Sequence, residues 1–301
     1  MAGPGTLQEL RPLVFSIAYR MLGAVTDAED VAQEAMLRIH RGMQTGVELA
    51  NPDAYATTVA TRLALDAARS ARRRRETYVG TWLPEPILSD DPDPAHRFEV
   101  DEAISIALLG VLQRLSPNER AVFLLRDTFG YDYAEIARIL DKSEAGCRQS
   151  FSRAQRHVAA GRVRFDPSPE QRQALADAFF AAIRAGDVAR LEGLLPADVK
   201  FEGDGGGRAP AIKVPLIGAT AVARFLLGLQ RQGDRFGARL EPVVANGQPA
   251  ARIVGPDGAT LGVMCLDICD GAVAAAHNQI NPEKLAHLGP IGDMAALLAG
   301  R

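Results

Sequence analysis

Two periods of apolar residues divide this chain. Through residue 158 the apolar positions recur every three or four residues, the spacing of one face of a helix. Leu10, Leu13, Val14, Ile17 and Met21 mark a first helix; Ala28, Val31, Ala32, Ala35, Met36 and Ile39 mark a second. Thr26, with Glu29 three residues on, has the form of a capping box opening that second helix. Asn51 followed by Pro52 opens a third, with Tyr55, Val59, Leu63 and Ala67 expected along its apolar face. Ser116, Pro117 and Glu119 form a second capping box. Beyond the Pro-rich joint "FDPSPE" (165–170) the texture changes. Helical patterns near 170–185, 187–195 and 219–231 give way to four short runs, "ARLEPVVAN", "QPAARIVG", "ATLGVMCLDICD" and "GAVAAAHNQI", each bounded by Gly, Asn or Asp. Helices first and antiparallel strands last predict a multidomain chain: an all-α part, then an α+β module.

The chain has 301 residues, 47% of them apolar, enough for two packed domains. No apolar run is long enough to span a bilayer, and "MAGPGTLQEL" has no signal-peptide pattern. Cys147, Cys265 and Cys269 are too few and too irregular for a metal site or disulfide framework. All three are read as buried small hydrophobes in a reducing, cytoplasmic compartment. Net charge is only −3, but its distribution is not uniform. Residues 62–75 carry +5, residues 85–102 carry −6, and residues 138–164 carry +5. The acidic block overlaps "TYVGTWLPEPILSDDPDPAHRFE" (77–99), a linker by its prolines and lack of period.

The second basic block lies on "YAEIARILDKSEAGCRQSFSRAQR", a helix, a turn at 141–143 and a second helix. Cys147, Phe151, Ala154 and Val158 form its apolar stripe, to be met by Ile136, Ala137 and Leu140. Arg148, Gln149, Ser152, Arg153 and Arg156 share the opposite face. This is helix-turn-helix grammar, which lays the second helix in the major groove of DNA. Arginine there can bond guanine bidentately, whereas Arg156, Arg162 and Arg164 suit phosphates. Taken alone the hairpin reads equally as a solvated helix of an ordinary bundle. The first basic block tips the balance: Arg62, Arg69 and Arg73 share one face of the third helix and run into Arg72–Arg75.

"AYRMLGAVTDAEDVAQEAMLRIHR" resembles region 2 of the extracytoplasmic-function (ECF) sigma factors, and 115–158 resembles their region 4. The resemblance divides the chain into region 2 (6–76), an acidic linker with "WLPEP" (77–105), region 4 (106–164) and an extension (168–290). It implies that Asp27, Glu29, Asp30, Gln33, Glu34 and Arg38 dock on core RNA polymerase. It implies that the third helix and the loop "GMQTGVELAN" before it melt the promoter −10 element. Arg62, Arg69, Arg72 and Arg73 would hold phosphates, and Tyr55 would be either a stacking platform or core. Arg148, Gln149, Ser152, Arg153 and Arg156 would meet the −35 element. The acidic linker, with Asp90, Asp91 and Asp93, would suit the polymerase RNA path. Gln149 and Ser150 depart from the family's more basic recognition helix, so promoter sequence is not carried over.

"ALADAFFAAIRAGDVARLEGLLPADVKFEGDGGG" resembles the opening of a SnoaL-like domain of the NTF2-like superfamily, a cone of helices against a curved sheet. "WLPEP" (82–86), "DGGGR" (204–208) and "NPEKL" (281–285) together resemble the sigma J-like subgroup that carries this extension. Glu283 stands where that subgroup more often has Asp. The implied regulatory interface comprises Trp82, Pro84, Glu85 and Pro86; Asp204, Gly205, Gly206, Gly207 and Arg208; and Asn281, Pro282, Glu283, Lys284 and Leu285. Three consecutive glycines permit a sharp turn and close approach of another surface, and Asp204 and Arg208 would then pair or anchor that surface. Asp204, Asp267 and His277 are the groups available for base catalysis, though His277 reads better as structural. The expectation is a non-enzymatic sigma factor, without cofactor, metal or membrane span, acting on core RNA polymerase and promoter DNA. Its extension would regulate in cis, standing in for a separate anti-sigma factor. The rivals are a helix-turn-helix regulator acting alone, and a SnoaL-like enzyme or ligand sensor fused to one.

Overall fold

The computed structural model describes residues 4–44, 51–90, 104–159 and 168–300. Residues 45–50, Asp91, Asp93, Arg162 and Arg164 lie outside them. The chain forms two compact units, residues 1–77 with 91–162, and residues 78–90 with 163–301.

In the first unit α1 (Pro4–Glu9), α2 (Arg11–Leu22), α3 (Val25–Gln44) and α4 (Pro52–Arg75) form a bundle. Helix α2 lies at its centre and is buried from Val14 through Leu22, its polar Ser16 and Arg20 included. Asn51 caps α4, its Oδ1 accepting from Ala54 N at 3.0 Å, with Pro52 at the first helical position. Two expectations need correction. Ala28 N already bonds Ala24 O, so α3 starts at Val25 and Thr26 sits inside its first turn rather than capping it. The buried face of α4 is Ala56, Thr57, Ala60, Thr61, Ala64, Leu65, Ala68 and Ala71. Tyr55, Val59, Leu63 and Ala67 are only half-buried. Small residues let α4 approach α2 closely, and close approach, not side-chain size, decides which face is covered.

The same unit continues through α5 (Ile106–Arg114) and α6 (Pro117–Phe123), the latter running into a π-helical turn at Leu124–Thr128. Helices α7 (Tyr133–Leu140) and α8 (Glu144–Ala159) follow. Ser116 Oγ accepts from Glu119 N while Glu119 Oε2 accepts from Ser116 N, so the capping box at α6 is complete. Val122, Leu125, Ile136, Ile139 and Cys147 make the helix-turn-helix core, with Ala137, Leu140 and Phe151 against it. The turn is closed by Asp141 in the left-handed region (φ 53°).

Three arginines cap helix ends in this unit. A helix leaves its last carbonyls unpaired at the negative end of its dipole, a site for cations. Arg75 donates to Leu22 O at 2.6 Å and Arg120 donates to Met21 O, both at the end of α2. Arg120 also donates to Leu112 O and Leu115 O; burial, with Arg75 and Arg72 nearby, pushes its pKa down to about 9. Arg62 does the same for α7, donating to Ile139 O at 2.8 Å and Arg138 O at 3.1 Å.

In the second unit α9 (Pro169–Ala185), α10 (Val188–Gly193) and α11 (Ala219–Arg235) pack on a six-stranded sheet. Its strands are β1 (Lys200–Asp204), β2 (Leu216–Ile217), β3 (Arg239–Ala245), β4 (Gln248–Val254), β5 (Thr260–Cys269) and β6 (Ala272–Gln279), in the order β2-β1-β6-β5-β4-β3. Four of the five pairings are antiparallel, and β1–β6 is parallel, so the sheet is mixed. Asn246-Gly247 and Asp270-Gly271 join β3–β4 and β5–β6 with positive φ at both residues, the pattern of tight hairpin turns. Short α12 (Pro282–Leu285) and α13 (Met294–Leu298) follow the sheet. Phe179, Phe180 and Ile183 of α9, Val222 and Leu226 of α11, and Phe201, Met264 and Leu266 of the sheet form the core. Cys265 is buried and Cys269 only half-buried, which corrects that expectation; both thiols are free. Burial pushes their pKa values up to about 12 and about 11, the carboxylates of Asp267, Asp270 and Asp198 adding to the latter.

The reading of 77–105 as one linker also needs correction. Residues 78–90 belong to the second unit, and Leu83 through Leu88 are buried there. Ser89 N donates to Val244 O, Asn246 N donates to Ile87 O, and Leu88 bridges Ala245. The segment thus pairs along the end of β3, an edge strand with backbone groups otherwise unmet by the sheet.

Candidate functional site

On α8, Arg148, Gln149, Ser152 and Arg156 are exposed together, opposite buried Cys147, Ala154 and Val158. Arg148 pairs with Glu144 at 2.6 Å and lies over the Tyr133 ring, 5.0 Å from its centroid. Ion pairing at this exposure contributes little energy but restricts the guanidinium to few orientations. Arg153 differs from the other four. It is half-buried, and its Nε donates to Glu119 Oε1 at 2.8 Å, tying α8 to the cap of α6. Ser150, a neighbour of the predicted face, is buried instead and accepts from Arg153.

Glu119 therefore serves two partners. Burial alone would raise its carboxyl; hydrogen bonds from Ser116 and Arg153 outweigh this and hold its pKa below the usual value. A depressed carboxylate pKa stabilises the fold above the unfolded value, roughly 4.3, and that contribution is lost as pH falls through the folded value. Glu119→Ala is expected to cost about 1–2 kcal/mol, as for other lost caps, and to flatten the acid limb of stability. Urea unfolding at pH 7 and pH 4 checks both.

Along α4, Arg69, Arg72 and Arg73 are exposed, Arg69 beside Asp66 at 2.9 Å. Arg62 is engaged at the end of α7, and buried Thr57 Oγ1 accepts from the Tyr131 hydroxyl at 3.0 Å. The expected phosphate-binding helix is thus joined to the helix-turn-helix part within this unit. Tyr55 is half-buried with its hydroxyl against Gly42, where an added Cβ would lie 3.2 Å from it. On α3, Asp30, Gln33 and Arg38 are exposed, and Glu34 pairs with Arg38 at 2.7 Å. Asp27 pairs with Arg74 and Glu29 with Arg11. Exposed Leu37 shares this surface, an apolar position the charge pattern did not reveal.

The second site is built by the three short motifs. Asp204 ends β1 fully buried. Its Oδ1 accepts from the Tyr78 hydroxyl at 2.6 Å and from Gly206 N; its Oδ2 accepts from Leu83 N at 2.8 Å and Lys284 Nζ at 2.6 Å. Lys284 also donates to Leu83 O, and its ammonium lies 4.0 Å from the Trp82 ring centroid. Asn281 Nδ2 donates to the Tyr78 hydroxyl, Gln279 Nε2 reaches Leu83 O and Pro84 O, and His287 meets Pro86 O at 2.8 Å. Pro84, Glu85 and Pro86 are buried, as is Leu285. Burial first, and then the bond to Asp204, raise the Tyr78 pKa far above its ordinary value, so it remains a donor. Gly206 and Gly207 have positive φ. A Cβ at Gly206 would collide with Asn281 Nδ2 and the Tyr78 hydroxyl, and one at Gly207 would touch Val79. The surface the glycines admit is therefore residues 78–79.

Asp204 and Arg208 do not pair. Arg208 bridges Glu283 at 2.9 Å in the open, while Asp204 takes the buried lysine. Tyr78 and Gln279 were missed, because neither stands inside a recognisable motif. His277 Nδ1 meets Glu202 Oε2 at 3.1 Å. Neither Asp204, Asp267 nor His277 lines the apolar cavity of this unit.

Comparison with known proteins agrees with this anatomy. The profile for Sigma-70 region 2 matches residues 6–74, and that for Sigma-70 region 4 matches 105–158. The ECF RNA polymerase sigma factor SigJ of Mycobacterium tuberculosis is 38% identical over 98% of this chain and 96% of its own. Probable ECF RNA polymerase sigma factor SigI of the same species is 31% identical over 91% and 92%. The crystal structure of M. tuberculosis SigJ superposes with a TM-score of 0.78 at 36% identity, covering 95% of this chain and 99% of that one. The chain belongs to the ECF RNA polymerase sigma factors: it directs core polymerase to promoters. Among the described residues no helix is long and apolar enough to cross a membrane.

Proposed function

We propose that this sigma factor reads the −35 element with Arg148, Gln149 and Ser152, with Arg156 on phosphate and Arg153 chiefly positioning α8. Arg69, Arg72 and Arg73 hold −10 phosphates, joined by Arg62 once it leaves the end of α7. Asp30, Gln33, Glu34 and Arg38, with Leu37 among them, form the polymerase face. Polymerase and promoter as partners place its work in the cytoplasm.

In the same reading the second unit regulates initiation in cis, in place of a separate anti-sigma factor. One observation carries this: the Asp204–Lys284 network grips Tyr78–Asp90, the stretch that follows α4 directly in sequence and leads on to region 4. A domain holding part of the inter-region connection limits the conformations open to it, and so shifts the balance between states that differ in that connection. Trp82, the only tryptophan, reports the grip. Deleting residues 168–301 is expected to move its emission to the red; unchanged emission contradicts the contact. In vitro transcription with core polymerase, comparing wild type with Asp204→Asn/Lys284→Met, tests the regulation. A changed transcript yield from an unchanged start site supports it, and identical yield refutes it.

A further inference from the structure

Where α4 meets the junction of α5 and α6, the first unit holds a cleft of about 270 Å³. Region 2 supplies Ala68, Arg72, Arg75 and Glu76 to its wall, and region 4 supplies Gln113 and Arg120. Three of these side chains are guanidiniums, and the one carboxylate among them, Glu76, is exposed. Such a wall favours an anion.

Two of the cations have donors to spare. Arg120 is 4% exposed and gives one N–H each to Leu112 O, Met21 O and Leu115 O; a guanidinium carries five. Those partners are neutral carbonyls, and the charges that bear on it, Arg75 and Arg72, have its own sign. Arg72 is exposed, with no hydrogen bond or ion pair among the described residues. Gln113 adds a neutral donor. Its Oε1 accepts from Arg75 Nη1, and a guanidinium can only donate, so the amide's orientation is fixed. That leaves Nε2 shut off from solvent, with no acceptor among the described residues. An unmet buried donor is costly. The side chain lines the cleft and its terminal torsion is soft, so Nε2 turns readily to an acceptor entering there.

We propose that this cleft binds a phosphoryl group, as free phosphate or as the terminal phosphate of a small molecule. Its oxygens accept from Arg72, Arg120 and Gln113 Nε2 together. Guanidinium forks make strong, charge-assisted bonds to such an oxyanion, whereas a carboxylate has only two oxygens for the three donors. Sites for larger ligands run to roughly 300–1,000 Å³, so this cleft takes a phosphate with little attached. A phosphodiester inside a nucleic-acid strand carries a nucleoside on each side and does not fit. The site is thus separate from the −10 contact assigned to Arg72. Because its wall comes from both regions, the bound group ties α4 to α5 and α6.

Calorimetric titration of the full-length protein at constant ionic strength tests this with inorganic phosphate, acetate, AMP and the dinucleotide TpT. Phosphate is expected to bind saturably, roughly tenfold or more tighter than acetate or TpT. AMP binding as tightly as phosphate assigns the site to a terminal phosphate, and AMP failing to bind assigns it to the free ion; either supports the proposal. Gln113→Glu keeps an acceptor for Arg75 but replaces the donor with a negative charge, and is expected to weaken phosphate roughly tenfold or more. Absence of saturable phosphate binding by the wild type overturns the proposal. So does acetate or TpT binding equally well, or an unchanged phosphate affinity in folded Gln113→Glu. Should that variant fail to fold, Arg72→Gln at the exposed rim takes its place: weaker phosphate binding supports the site, and unchanged binding overturns it.

Discussion

Asp204→Ala is expected to destabilise the second unit by about 3–5 kcal/mol, the cost of removing one partner from a buried ion pair. The carboxylate is fully buried and the lysine side chain nearly so. Its loss deprives the Tyr78 hydroxyl and Leu83 N of this acceptor and the buried Lys284 ammonium of its counter-ion. Lys284→Met added to Asp204→Ala is expected to restore part of that stability, because the stranded charge goes while the methylene stem remains. Urea unfolding followed by Trp82 fluorescence measures both. A change below about 1 kcal/mol for the single variant would mean that the network is not what holds residues 78–90.

At the promoter, Arg148→Ala and Arg156→Ala are expected to fail differently. Loss of a base-reading arginine costs about 1–3 kcal/mol, roughly 5–150-fold in affinity, and relaxes preference at one −35 position. Loss of a phosphate contact weakens all sequences alike and lowers the salt slope by about 1. Holoenzyme binding to a panel of −35 variants at several salt concentrations separates them. Equal losses across the panel for Arg148→Ala would remove it from base readout. Arg153→Ala is expected to show instead as lost stability, since its guanidinium serves Glu119.

The helix-turn-helix was legible because its information is local. The capping box at Ser116, the stripe from Cys147 to Val158 and the turn at Asp141 each lie within a few residues of the structure they specify. The face of α4 was misread because apolar size was taken as the signal, whereas alanines and threonines set the distance between α2 and α4. Residues 78–90 were misread for another reason. Their composition is that of a linker, and their partners stand more than a hundred residues away, as with Leu83 and Asp204. The motifs named Trp82, Asp204 and Lys284, which the structure brings together, yet spacing alone could not say that Lys284 rather than Arg208 would neutralise Asp204. That choice belongs to burial: the longer, forked guanidinium stays at the surface with Glu283, and the ammonium fits beneath Trp82.

The most direct test is transcription from genomic DNA by core polymerase and the full-length protein, with all start sites mapped. The account predicts discrete starts absent with core polymerase alone, at the same positions for wild type and Asp204→Asn/Lys284→Met but with altered yield. A start-site map indistinguishable from that of core polymerase alone would contradict it.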